Sequence, residues 1–179
     1  MSDSDTALVA RVIANDDRGA FELLVRRHQS AVRNFLRRLA RNDAERANDL
    51  AQETFIKMYQ GLHSFRGTAR FTTWLFRIAY HTFLNDQRGR HANEEFNDDE
   101  HGSVADTTAH TADALDVDRA LERLSVRQRA VFDLHYKKGM THSEIAEALE
   151  LPLGTIKSDL VRGHDKLKEW LGGPHEQTA

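Results

Sequence analysis

Apolar residues recur at helical spacing along most of the chain, and the interruptions in that pattern divide it into short helices. Leu8, Val9, Val12 and Ile13 share one side of a helix predicted over Asp5 to Asn15, which the run Asn15-Asp16-Asp17-Arg18-Gly19 ends. Phe21, Leu24, Val25, His28, Val32, Phe35, Leu36 and Leu39 then hold a helical period over several turns, with Arg26, Arg27, Arg33, Arg37 and Arg38 on the other faces. His28 lies on the apolar stripe and reads as a packed histidine rather than a ligand. A third helix starts at Asn42-Asp43 and runs to about Leu62 on the seam Ala51, Phe55, Met58 and Leu62. After a loop from His63 to Thr68, a fourth spans Phe71 to Arg90. There Phe71, Trp74, Leu75 and Ile78 share one stripe that Phe76, Tyr80 and Phe83 cannot all join, so the pattern predicts aromatic surface beyond the needs of a core.

From His91 to Asp116 the apolar pattern stops, and small, polar and acidic residues predict a disordered linker. The run lacks the alternating ligands and distal Glu of a calcium-binding loop. Helicity resumes with Val117, Ala120, Leu121 and Leu124. Ser125 with Gln128, and Thr141 with Glu144, have capping-box spacing, so each predicts a new helix. The first carries Ala130, Val131 and Leu134 and stops at Gly139. The second carries Ile145, Ala148 and Leu149 until Leu151-Pro152 interrupts it, because proline disfavours a helical residue before it yet suits the first turn of the next helix. On the last helix Ile156, Leu160, Gly163, Leu167 and Leu171 fall within one narrow stripe, while Ser158, Val161, Arg162 and Asp165 point the other way. A capped helix, a tight turn and a longer second helix form the helix-turn-helix layout, whose second helix enters the DNA major groove.

The expected fold class is therefore all-α, with two small helical domains joined by a flexible acidic linker and a helix-turn-helix in the second. The predicted boundaries are 1–91, 92–115 for the linker, 116–172, and a disordered tail over 173–179.

Charge alters this picture more than overall composition does. The net charge is −3, yet residues 1–90 carry 15 basic and 10 acidic side chains, 91–119 carry 1 and 9, and 120–179 carry 9 of each. The basic first lobe reopens the nucleic-acid partner that the total would exclude. Nine of the chain's aromatic residues lie between Phe55 and Phe96, interleaved with Arg66, Arg70, Arg77, Arg88 and Arg90. Rings beside arginines can stack single-stranded bases, and a core with scattered surface aromatics is the other reading of the same composition. Cysteine is absent, so neither disulfides nor thiolate metal sites are expected. The first residues are acidic without a signal-like apolar run, and no segment approaches a membrane span, so a soluble cytoplasmic protein is expected. Scattered histidines, with no HExxH pair, phosphate loop or nucleophile motif, give no support to an enzyme, and no metal or cofactor is expected.

Two separated stretches together resemble the extracytoplasmic-function (ECF) sigma factors of bacterial RNA polymerase. DLAQETFIKMYQGLHSFRG, followed by FTTWLFRIAYHTFLNDQRGR, is similar to the family's second conserved region. LSVRQRAVFDLHYKKGMTHSEIAEALELPLGTIKSDLVRGHDKL is similar to its fourth. The resemblance implies that Asp49, Gln52, Glu53, Phe55 and Lys57 dock on core RNA polymerase. It implies that Ser64, Phe65, Arg66, Phe71, Trp74, Arg77, Tyr80, His81 and Arg88 open and hold the −10 promoter element. It implies −35 recognition by Thr155, Lys157, Ser158, Asp159, Val161, Arg162 and Lys166, with promoter DNA, core polymerase and an anti-sigma factor as partners.

Three departures stand out. His81 replaces the usual asparagine, His164 replaces a common arginine, and Asp159 follows Lys157-Ser158 where arginine is usual. A carboxylate at 159 is repelled by phosphate unless it pairs with Arg162 or Lys166 or accepts a hydrogen bond from a cytosine amino group. An unusual or weak −35 preference is expected. The competing function is a DNA-binding regulator that never joins polymerase.

Overall fold

The computed structural model describes residues 3–94 and 120–171, with side chains through 90 and 170. Those residues are helical with no strand, as expected, and the chain divides into two compact units. The expected linker, the predicted resumption of helicity at Val117 and the tail lie outside the described residues.

The N-terminal unit contains α1 (Asp5–Asn15), α2 (Arg18–Leu39), α3 (Ala44–Gly61), a 3-10 turn (Leu62–Ser64) and α4 (Phe71–Glu94). Each of the first three helices starts on a side-chain cap. Ser4, Asp17 and Asp43 accept hydrogen bonds from the backbone N–H of Ala7, Ala20 and Arg46, which otherwise lack partners in the first turn. Asp17 therefore begins α2 at Arg18, and Arg18-Gly19 belong to the helix rather than to the expected break. Asp17 also receives both Nε and Nη2 of Arg11, at 3.0 and 2.8 Å. The Ala20 N–H and then the Arg11 guanidinium hold its carboxyl below the ordinary carboxylate range.

The core of this unit is Leu24, Val32, Phe35 and Leu36 from α2, Leu50 and Met58 from α3, and Phe71, Leu75, Phe76, Ala79, Tyr80 and Phe83 from α4, all buried. The surplus aromatic surface predicted on α4 is not there. Phe76 packs edge-on to Phe35 at 5.2 Å, and Phe83 lies under the Arg46 guanidinium at 5.0 Å. The physical reason is that α4 packs against both α2 and α3, so positions to either side of a single stripe also find neighbours. Arg46 ties α3 to α4 through Asp86, with Nη2 to Oδ2 at 2.6 Å. His28 is packed, as read from its stripe, with Nε2 3.0 Å from Asp5 Oδ2. Burial lowers its pKa against the opposing pull of Asp5.

The C-terminal unit contains α5 (Val126–Phe132), a π turn (Asp133–Lys137), α6 (His142–Leu149) and α7 (Leu153–Leu171). Both expected capping boxes form. Ser125 and Gln128 exchange bonds at α5, and Thr141 and Glu144 do so at α6. Gly139 at φ 63° turns the chain between them. Glu150 adopts a left-handed φ of 55° as α6 ends, and the Leu151 N–H reaches back to Ala146 O at 3.0 Å. Pro152 O then accepts from Thr155 N–H at 2.9 Å, opening α7. Ile156 and Leu160 are buried as expected. Gly163 lets α7 approach α5 closely, since a Cβ there would overlap the Phe132 ring.

Candidate functional site

The polar and apolar faces left over by this packing fall into three places. The first is a groove of about 850 Å³ between α2 and α3, lined on α2 by Phe21, Val25 and Gln29 and on α3 by Gln52, Phe55, Ile56 and Tyr59. Of the five α3 residues proposed from the sequence, Gln52 and Phe55 line it. Asp49, Glu53 and Lys57 occupy the adjacent stripe at four-residue spacing, where Glu53 and Lys57 pair at 2.6 Å. Sequence reasoning missed Ile56, which is 58 % exposed. The available signal was a large aliphatic residue standing off the Ala51, Met58, Leu62 seam. It also missed Tyr59, whose ring meets Phe21 edge-on at 4.8 Å and whose hydroxyl donates to Asp16 Oδ1 at 2.5 Å. That bond raises the phenol's pKa and ties the hydroxyl to the residue that caps the end of α1.

The second place is the loop before α4. Ser64 donates to Gly61 O at 2.6 Å, Gly67 turns the chain at φ 71°, and Arg66 and Arg70 are exposed. Phe65 and Trp74 are half-buried with centroids 5.4 Å apart, and both meet Phe71 below them. Phe71 and Tyr80, proposed from the sequence to hold bases, are only 4 % and 5 % exposed and belong to the core. Burial takes their faces away from any ligand, so two rings remain where four were expected. Further along α4, Arg77 and His81 are half-buried and Arg88 is exposed. Arg88 donates to Asn85 Oδ1 at 2.7 Å.

The third place is α7. Val161 is 61 % exposed, Lys157, Arg162 and Lys166 are exposed, and Thr155 and Ser158 are half-buried, Ser158 donating to Thr155 O at 3.0 Å. Asp159 departs from the expectation. It is 1 % exposed, and Arg127 of α5 grips it with Nε to Oδ2 at 2.6 Å and Nη2 to Oδ1 at 3.2 Å. Its side-chain partner is Arg127 rather than Arg162 or Lys166, because the 159 position faces α5. A groove of about 450 Å³ beside this face is lined by His135, Tyr136, His142, Lys157, Val161 and His164, among others. Tyr136 and the two histidines outside α7 were not anticipated. Among the described residues no cluster of His, Asp or Glu could hold a metal ion, and no helix is long and apolar enough to cross a membrane.

Among the described residues, helices alone build one unit with a helix-turn-helix and another with an apolar groove, which defines the class of two-module helical proteins. Comparison with known proteins narrows that class. Residues 24–92 match the family model for Sigma-70 region 2, and residues 114–167 match that for Sigma-70, region 4. The chain is 34 % identical to the ECF RNA polymerase sigma-E factor of Haemophilus influenzae over 92 % of its own length and 94 % of that protein's. It is 35 % identical to the ECF RNA polymerase sigma factor SigM of Mycobacterium tuberculosis, covering 94 % and 85 %. Among solved structures it is similar to the sigma factor RpoE in complex with the anti-sigma factor NepR from Bartonella quintana. That match has a TM-score of 0.76 and 29 % identity, covering 86 % and 97 %. The chain belongs to the ECF sigma factors of the sigma-70 family, as its two motif stretches implied.

Proposed function

We propose that the protein binds core RNA polymerase through the α2/α3 groove and directs initiation at promoters. In this reading the 64–70 loop and α4 hold the −10 element, and α7 reads the −35 element. The observation that carries it is the exposed aliphatic and aromatic lining of that groove, with Ile56 at its rim. An exposed apolar surface of this kind marks a docking site, and the match of both sigma-70 regions favours core polymerase as its occupant over the ligand of a free-standing regulator.

Magnitudes support the dependence on polymerase. Opening duplex costs about 1.4 kcal/mol per stacked step, and a captured base returns roughly 1–3 kcal/mol. Phe65 and Trp74 together offset only about one to four steps, so a transcription bubble requires the larger enzyme. In the other lobe Lys157, Arg162 and Lys166 supply a few phosphate contacts, and binding by this lobe alone is weak and salt-sensitive. Val161 suits apolar contact with a thymine methyl.

The protein is a non-enzymatic initiation factor that works in the cytoplasm and is held in check by an anti-sigma partner, in keeping with the RpoE and NepR complex it resembles. Run-off transcription with purified core polymerase tests this. New specific start sites are expected. Absence both of co-purification with core enzyme and of new transcripts would favour the free-standing regulator.

A further inference from the structure

The pair Arg127 and Asp159 has no part in the reading above. Asp159 stands in the turn of α7 proposed to enter the duplex, yet its side chain is 2 % exposed while that of Arg127 is 47 % exposed. A carboxylate taken out of water needs a cation making more than one hydrogen bond to stay charged. Arg127 supplies two through its fork, and so roofs the carboxylate while keeping an outer surface toward solvent.

At about 100° per residue, Asp159 lies on the edge between the core stripe and the exposed face of α7, on the side of Thr155 and Arg162. A helix in a major groove about 12 Å wide turns its middle to base edges and its flanks to the phosphate strands. We propose that Asp159 is a positioning residue: it holds the Arg127 guanidinium on that flank as a preorganised contact for a phosphate of the −35 duplex. This rests on the reading of α7 as the −35 helix. Preorganisation matters because a long side chain ordered before binding loses little rotamer freedom on binding. Asp159 thereby favours DNA although its own charge opposes it.

That opposition of sign makes the test. The holoenzyme is bound to a promoter duplex that supports run-off transcription, and to the same duplex with its upstream element scrambled, over a range of salt. Asp159→Asn removes a negative charge near DNA and would tighten binding if charge alone mattered; the expected result is several-fold weaker binding. The double variant Arg127→Gln with Asp159→Asn leaves no unpaired carboxylate at 159, which guards against simple unfolding, and thermal melting checks that it folds. It is expected to lower the log–log salt slope by about 0.9, one phosphate contact, with the same loss whichever base of the element is changed. Tighter binding by Asp159→Asn, or an unchanged slope in the double variant, overturns the proposal while leaving the −35 reading intact. Equal binding of wild-type holoenzyme to both duplexes overturns both.

Discussion

Helices α4 and α7 have similar lengths and similar mixtures of apolar and charged residues, yet they are packed in opposite ways. On α4 the residues Phe71, Thr73, Leu75, Phe76, Ala79, Tyr80, Thr82 and Phe83 are all buried, because α2 and α3 both press on it. On α7, among the residues through 170, full burial is confined to Ile156, Asp159, Leu160 and Gly163, with Thr155, Ser158 and Leu167 half-buried and Lys157, Val161, Arg162, Asp165 and Lys166 exposed. A helix clamped from two sides serves as a spine and has only its start and a few side positions left for ligands. A helix seated on one side keeps a whole face for reading. The difference teaches that aromatic richness near a nucleic-acid motif is no measure of stacking surface.

Substitutions should separate the spine from the reader. Phe83→Ala empties a fully packed site on α4 and is expected to cost about 3–5 kcal/mol, read as a lowered urea midpoint. A cost below about 1 kcal/mol would mean that α4 is not clamped as described. Gly163→Ala pushes a methyl into Phe132 where α7 approaches α5 closely, and about 1–3 kcal/mol is expected in the melting of the C-terminal unit. Ser125→Ala removes half of the capping box on α5 and should cost about 1 kcal/mol by the same measurement.

A smaller effect concerns pH. Burial holds the folded His28 pKa below its ordinary 6.5, so below that value the unfolded chain binds the proton more readily than the folded one. Stability is therefore fully present above about 6.5 and falls as pH drops from there toward the lowered folded value. His28→Gln should flatten this part of the melting-temperature curve. Smallest of all, Val161→Ala should change stability by no more than about 0.5 kcal/mol, while weakening binding to promoters that place thymine opposite it. An equal loss on every promoter would show that Val161 reads no base.

Much of this molecule was legible from residue order. The caps Ser125 and Thr141, the break at Pro152 and the stripe Ile156, Leu160, Gly163 depend on neighbours within about four positions, and such short-range rules hold whatever the rest of the chain does. The paired motifs for regions 2 and 4 were likewise local. Three features were hidden for one shared reason. That Phe76, Tyr80 and Phe83 are all buried depends on a second helix arriving on the far side of α4. That Ile56 rims a groove depends on how α2 lies against α3. That Asp159 is buried and paired rather than open to solvent depends on Arg127, 32 positions earlier. Helical period says which residues share a face, but a face becomes core, groove or surface only when another element is brought against it.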